Sequence, residues 1–381
     1  MLNYKLATAR AWAEIDVDKL LTNYRGALSE LSPGTRHYTV LKANAYGLGA
    51  VPIARILYRE GARHFAVAFV AEGMELRRVL PGDAEILVMS ETLPPEVDLL
   101  LDHQLTPTIL SLDSAERISE HATVRGLTVQ AHCKVDTGLN RLGFAAEGAP
   151  GEIAKAARLP GIALVGVYSH LQRRSPEHDR RQCERLLAVR DALRGVGIDV
   201  PMLHMLDSIG MWRYPEYQFD AVRDGAYVFG HTPLEYHSPE KISFALSFKT
   251  RIIRVFTARA GECLGYGAAH PLVADRRVAT LCAGYDDGYP RAMSHSGEVE
   301  IHGRRAKVLG VICMNLMMVD VTDIGEARVG DEVTLLGGGI GAHEYAAFCG
   351  SYINECLTRI GRHIPRVYLQ GGNVIDIAIQ S

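Results

Sequence analysis

From Trp12 to about Thr232 the sequence alternates short apolar or β-branched runs with longer helical patterns. That alternation constrains the fold more than any other feature of the chain. The runs include "HYTVLKA", "HFAVAFV", "AEILVMS", "LTVQAHCKVD", "IALVGVYSH" and "PMLHML"; between them lie "VPIARILYREG", "SLDSAERISEHA" and "DRRQCERLLAVRDALRGVG", the last closing on a glycine stop signal. Repeated βα units of this length require a parallel sheet, either doubly wound or closed as a barrel, and periodicity does not separate the two. After about Pro239 the segments "ALSFKTRIIRVFTA", "RRVATLCAG", "EVEIHGRRAKVLGVICMNLMMVDVTD" and "DEVTLLGG" are strand-like and separated by glycine and charged turns, with "HEYAAFCGSYINECLTRIG" reading as helix. The chain of 381 residues, 48% of them hydrophobic, is long enough for two cores, so two domains are expected: 1–239, built from βα units, and 240–381, mostly β.

Within the first part, "TVLKANAYGLGA" places Lys42 at the end of a buried run and follows it with turn residues. Most lysines are solvated surface charges. One at the carboxyl end of a buried strand instead points into the cleft above the sheet, where a desolvated amine loses its proton and serves as nucleophile or base. In a barrel the other strand ends on that face should also carry polar groups. They do: Lys134 with Arg141 beyond it in "HCKVDTGLNRLGF", His170 closing "VGVYSH", His204 and Ser208 in "MLHMLDS", and Arg223 with Gly225 and Ala226 in "AVRDGAYVFG". Singly, each has a structural explanation as an ion pair or a hydrogen-bonded core histidine. Their recurrence at successive run ends favours a site. Ser208 and the Gly225 turn have the makings of an anion site, since hydroxyl and backbone N–H groups suit phosphate oxygens, although no GxGxxG or Walker pattern is present.

Composition narrows the partners. With 41 Lys+Arg against 44 Asp+Glu and no dense basic block, nucleic acid and anionic membrane surfaces are not expected, and small molecules are. The seven cysteines are odd in number, scattered and without a CxxC pair, against a disulfide framework or a zinc site. The amino terminus lacks the apolar core of a signal peptide, so a cytoplasmic protein is expected.

The chain resembles the alanine racemase family over nearly its whole length, through "RAWAEIDVDKLLTNYR", "VLKANAYGLG", "KVDTGLNRLG", "VRDGAYVFG", "CLGYGAAH", "AGYDDGYPR", "GVICMN" and "IPRVY" in order. The resemblance implies an α/β barrel of the TIM type followed by a mostly β carboxyl-terminal domain, pyridoxal 5'-phosphate as cofactor, and a homodimer with shared active sites. By that resemblance Lys42 would carry the cofactor and act as base on one face of the substrate α-carbon, and Tyr266, from the partner subunit, would be the base on the other. His170 would hydrogen-bond that tyrosine. Arg223 would face the cofactor's pyridine nitrogen and keep it largely unprotonated, because a guanidinium gives up its proton so reluctantly. Tyr46, Ser208, Gly225 and Ala226 would surround the phosphate, with His204 supporting the ring. Arg141, Met314 and Tyr285 would meet the substrate, and Lys134 matches a lysine often carbamylated in the family, whose added negative charge orients Arg141.

The sequence departs from the family pattern at Leu48, where many members have histidine, at Asn315, where aspartate is usual, and at Asn354, where alanine-specific members carry a tyrosine. Tyr352 is two residues away, but Glu355 keeps the family's following glutamate in place. The serine racemases of vancomycin-resistant bacteria resemble this chain in having asparagine there. The expected function is therefore interconversion of L- and D-alanine with serine as a further substrate, supplying D-amino acids for peptidoglycan. A barrel decarboxylase would use an acidic group where Arg223 stands, and a non-catalytic pyridoxal-phosphate carrier would lack the domain bearing Tyr266.

Overall fold

A computed structural model describes residues 9–232, 242–267 and 270–379; the expected boundary between 239 and 240 lies outside the described residues. After β1 (Ala11–Asp16) the chain lays down β2 (Arg36–Val40), β3 (His64–Val67), β4 (Glu85–Val88), β5 (Thr106–Ile109), β6 (Val129–Asp136), the short β7 (Phe144–Ala145), β8 (Ile162–Tyr168), β9 (Leu203–Asp207) and β10 (Ala221–Asp224). Apart from β1 these strands are parallel and pair in the order β5-β4-β3-β2-β10-β9-β8-β6, with the short β7 added beside β6. A further pairing of β5 with β6, through Thr108↔His132, closes the sheet, which makes it an eight-stranded barrel and not a doubly wound sheet.

Helices on the outside follow the strands, and their ends are set by local chemistry. Ser111 caps the helix Leu112–Val124 by accepting from the Ser114 N–H, and Ser175 does the same for Pro176–Gly195 through the His178 N–H, with Pro176 at the first position. Between strands and helices runs the main apolar core; the barrel lumen has its own small cluster, including Tyr38, Val40, Ala66 and Ala221.

The second part of the chain contributes β11 (Leu246–Ala258), β12 (Arg276–Leu281), β13 (Glu298–Ile301), β14 (Arg304–Leu309), β15 (Met317–Asp320), β16 (Glu332–Leu336), β17 (Arg366–Gln370) and β18 (Asn373–Ala378). They form a sheet in the order β12-β15-β14-β13-β16-β11-β1-β17-β18, in which β11 also pairs with β12. All its pairings are antiparallel except β1 with β17. The amino-terminal strand thus belongs to the second sheet, with Ala13 opposite both Phe248 and Arg366. Division of the chain by sequence position does not coincide with its division by sheet.

The segment "HEYAAFCGSYINECLTRIG", read above as one helix, is two: Ala342–Cys349 and Ile353–Thr358. Gly350 separates them at φ +61°, a left-handed cap that ends the first helix. The break turns Ser351 to Asn354 toward the mouth of the barrel.

Candidate active site

Strand alternation decides which side chains enter the barrel. On β2 the inward series runs Tyr38, Val40 and then Lys42; on β6, His132 and Lys134; on β8, Tyr168 and then His170; on β10, Ala221, Arg223 and then Gly225. On β9 a bulge intervenes: the register advances three positions, from His204 to Asp207, while β10 advances two, from Ala221 to Arg223. The extra residue shifts the phase, so Asp207 and not Leu206 faces the lumen.

These series end in one cavity of about 860 Å³ at the carboxyl ends of the strands. Lys42, Lys134, Arg141, His170 and Arg223 line it, with Tyr46, Ser208, Gly225 and Ala226 on one side and Asn354, together with Tyr352, on the rim from the second domain. Nine residues expected from the barrel and one from the second domain are thus brought together. His204 is not: it is the second residue of β9, wholly buried below the cavity, stacked between Tyr168 and Tyr38. It lies beneath Arg223, whose Nη1 donates to His204 Nδ1 at 2.5 Å.

Tyr266, Tyr285 and Met314 lie elsewhere on the chain. Tyr266 and Tyr285 line a separate cavity of about 550 Å³ on the second domain. Tyr266 stands on a turn between Gly265 and Gly267, both at positive φ, and is 73% exposed; Met314 is also exposed. None of the three lines the cavity of Lys42 in the same chain.

Lys42 is presented by an unusual backbone. Ala43, Asn44, Ala45 and Tyr46 have φ between 51° and 56°, a left-handed helical turn that continues into Gly47 at φ +86°. Left-handed conformation costs about 1–2 kcal/mol for each residue with a Cβ, so the turn must be held from outside. Internally, Ala45 N–H donates to the Leu41 carbonyl and the Asn44 side chain accepts from Ala50 N–H. Externally, Arg366 Nε donates to the Gly47 carbonyl, Tyr368 Oη to the Leu48 carbonyl, and Glu72 accepts from Ala43 N–H. Arg366 is itself buried, with its other N–H groups given to carbonyls at Ile360, Gly361 and Ile364. Through this residue of the "IPRVY" motif, the second domain steadies the lysine turn of the first.

The amines are perturbed in the direction that chemistry needs. Lys42 is solvent-accessible at the mouth of the cavity in the single chain, yet the enclosing walls first, and then Arg141, lower its pKa. Lys134 is buried and pushed down to about 7, by burial and then by Arg223 and Arg141. Burial also takes His170 down to about 3, against an opposing pull from Asp207, so its imidazole is neutral.

Arg223 is fixed from four directions: Nη1 to His204, and Nη2 to the Ser169 and Met205 carbonyls at 2.7 and 3.0 Å and to His170 Nδ1 at 3.3 Å. Its plane lies over Tyr168, 4.7 Å from the ring centroid. Below it the bonds continue from His204 Nε2 to His132 Nδ1 at 2.9 Å, and the His132 ring lies 3.3 Å from Glu85. Since an arginine only donates, His204 must accept at Nδ1 and donate from Nε2, which fixes its tautomer.

At the anion side, Ser208 Oγ accepts from the N–H groups of Gly225 and Ala226 at 3.1 and 3.0 Å and donates to Asp224. A Cβ at Gly225 would stand 2.8 Å from the Tyr46 ring, so only glycine lets that phenol close over the turn. Sequence reasoning did not single out Tyr168, Asp207, His132 or Glu72. Two-residue parity with His170 and Lys134 was a usable signal for Tyr168 and His132; nothing in the sequence marks the bulge that exposes Asp207 or the fold-back that brings Glu72 to Ala43.

A closed βα barrel with an amine on the extension of one strand, an arginine locked in its wall and, at two neighbouring strand ends, a serine hydroxyl bonded to two backbone N–H groups defines a barrel enzyme of the lysine-bearing kind. The model of the alanine racemase N-terminal domain matches residues 15–233, and that of the alanine racemase C-terminal domain matches 245–368. The chain belongs to the alanine racemase family. It is 34% identical over 365 residues to the alanine racemase of Desulforamulus reducens, covering 94% of this chain and 98% of that one, and 35% identical over 368 residues to that of Syntrophobacter fumaroxidans, covering 93% and 96%. Among solved structures, the alanine racemase of Clostridium difficile 630 superposes with a TM-score of 0.92 at 30% identity, over 97% of this chain and 98% of that chain. An alanine racemase from Bartonella henselae with covalently bound pyridoxal phosphate superposes with a TM-score of 0.87 at 27% identity, over 95% and 100%. No helix among the described residues is long and apolar enough to cross a membrane.

Proposed function

We propose that the protein racemises alanine, and serine beside it, on a pyridoxal phosphate carried by Lys42. The observation that carries this reading is the convergence, in one cavity, of a lysine with lowered pKa, a locked arginine and a set of anion donors. That donor set suits the cofactor: the Ser208 hydroxyl and the Gly225 and Ala226 N–H groups, which bond one another and Asp224 here, would exchange those bonds for phosphate oxygens beside the Tyr46 phenol, and Arg223 suits a neutral ring nitrogen. When bound, pyridoxal phosphate supplies the electron-withdrawing ring that makes the α-proton of an amino acid removable.

The protein's own groups then have separable tasks. Lys42 holds the cofactor and moves a proton on the face used by the D-enantiomer; the partner subunit's Tyr266 moves the proton on the opposite face, assisted by a neutral His170 whose Nδ1 accepts from Arg223, which leaves its Nε2 N–H to donate to the phenol oxygen. Arg223 cannot release a proton to the ring nitrogen, which limits charge storage in the ring and disfavours side reactions. Arg141 binds the substrate carboxylate, with the Met314 backbone and Tyr285 from the second subunit closing the pocket. Lys134, with its pKa near 7, presents a substantial neutral fraction at neutral pH, the form that adds carbon dioxide; the carbamate would orient Arg141. The working unit is a homodimer acting in the cytoplasm to supply D-amino acids for peptidoglycan. Its barrel domain is assigned to residues 1–239 and its β domain to 240–381, with β1 exchanged into the second sheet.

Loss of optical rotation from separate L-alanine and L-serine solutions tests the activity, and absence of racemisation of both would refute it. Asn354 is placed to decide between the two. It stands on the cavity rim and touches His231, which is buried below it. An amide there offers both donor and acceptor to a substrate hydroxyl, whereas a tyrosine would crowd the side chain. Specificity built on a polar contact exceeds that from one methylene. Asn354→Tyr is therefore expected to lower kcat/KM for serine at least about tenfold more than for alanine. An unchanged preference, or no serine turnover by the parent protein, would remove serine from the assignment.

A further inference from the structure

Glu72 is the third residue of the helix Val70–Arg77, and half of its bonding has an ordinary explanation. Its Oε2 accepts from the N–H groups of Ala68 and Phe69 at 2.7 and 3.2 Å, which closes a capping box at the start of that helix. Capping uses one oxygen. The other, Oε1, reaches out of the helix to the Ala43 N–H at 2.6 Å, on the residue that follows Lys42.

Ala43 is the first left-handed residue of the lysine turn. Its N–H belongs to the peptide that joins Lys42 to the turn, so the direction of this N–H and the direction of the Lys42 side chain are set together. The farther end of the turn is held by Arg366 and Tyr368, at Gly47 and Leu48. At its near end the side-chain bond is the one from Glu72. Ala68, on the other oxygen, lines the same cavity, so one carboxylate ties the lysine-bearing loop after β2 to the loop after β3.

We propose that Glu72 is a positioning residue that aims the Lys42 amine by bridging these two loops, and that its second oxygen governs the rate of covalent attachment of an aldehyde cofactor. This rests on Lys42 carrying the cofactor as proposed above. In the attachment step the amine nitrogen adds to the aldehyde carbon and the aldehyde oxygen leaves as water, so the step depends on the angle at which the amine meets the carbonyl carbon. Glu72 touches neither group; it acts through the Lys42–Ala43 peptide. A carboxylate is needed because both of its oxygens must accept, and an amide can offer only one acceptor.

The test separates aiming from folding. Apo-protein is mixed with pyridoxal phosphate, and the growth of the borohydride-fixable yellow absorbance gives the attachment rate. Pyridoxine phosphate, which carries an alcohol in place of the aldehyde and cannot attach, gives non-covalent affinity by fluorescence titration. Glu72→Gln is expected to slow attachment at least tenfold while the affinity for pyridoxine phosphate changes less than twofold. An unchanged attachment rate would overturn the proposal, and so would a parallel loss of both readouts, which would leave Glu72 as a helix cap alone. Should that variant not fold, Glu72→Asp keeps the charge but withdraws it by one methylene, and is read against the same two outcomes. Absence of attachment in the parent protein would overturn the role of Lys42 along with that of Glu72, whereas normal attachment in the parent and an unaltered rate in the variant would overturn Glu72 alone.

Discussion

Replacing Lys42 with alanine should reduce racemisation of both enantiomers by at least about 10⁴-fold, the upper range for one acid–base group, since attachment is lost with it. The protein should also lose its yellow colour and its borohydride-fixed label. Loss of fold is not an available explanation, because the side chain is solvent-accessible and the turn beneath it is held by backbone carbonyls and by Ala43 N–H, not by the amine. Circular dichroism and thermal midpoint should therefore stay close to the parent's. Lys134 cannot substitute: although its pKa is also low, it lies deeper, with its amine 5.5 Å from the centre of the Tyr168 ring and between the charges of Arg223 and Arg141. Racemisation at a comparable rate in the purified variant would remove Lys42 from the mechanism.

The barrel was legible because its strands are buried on both faces and read as apolar runs of the length a parallel strand needs. Closure was not legible, since the bonds that decide it join β5 to β6 and leave no trace in periodicity. Of the barrel strands, β5 escaped notice and β10 entered only as the strand end that carries Arg223, each for an identifiable reason. β5 is "TPTI", short and carrying a proline, a residue that argues against a central strand; β10 is "AVRD", half of it charged. Both charges of β10 are buried and satisfied, Arg223 by carbonyls and histidines and Asp224 by Ser208 and His37. The destination of β1 was hidden as well, because an alternating strand does not say which sheet it will join.

The site was legible to the extent that it obeys strand parity. Lys42, Lys134, His170 and Arg223 follow their strands' inward series, so a reading by strand ends found them. His204 is the exception to that parity: "MLHMLDS" looks like a strand end, but the strand runs on to Asp207, and the histidine sits a full layer lower, beneath Arg223. The left-handed turn at Ala43 to Tyr46 is beyond any local rule, since its residues include two alanines, which have no preference for positive φ. It is dictated by what surrounds it, Glu72 on one side and Arg366 and Tyr368 on the other, residues 29 and more than 300 positions away in the chain. Tyr266 is the opposite case. Nothing in the glycine-flanked loop sets it apart, and only the family resemblance gives it a role.

Mixing two inactive proteins, Lys42→Ala and Tyr266→Ala, should restore activity under conditions that exchange subunits. In one chain Lys42 and Tyr266 line different cavities, and Tyr266 presents a largely exposed phenol on the second domain, so the proposed site with both bases would draw them from two chains. In a two-fold symmetric dimer each site would take Lys42 from one subunit and Tyr266 from the other. A mixed dimer then has one site lacking both bases and one site intact. Equal amounts exchanged at random make half of the dimers mixed, each with one good site of two, so activity should return to roughly a quarter of the parent's. The Tyr266→Ala protein alone should still attach the cofactor, since Lys42 is untouched. It should also exchange the α-proton of D-alanine with solvent far faster than that of L-alanine, because only the face served by Lys42 remains equipped. Equal loss of exchange for both enantiomers would contradict two separate bases. No recovery on mixing, with mixed dimers demonstrated by mass spectrometry, would place both bases in the same chain.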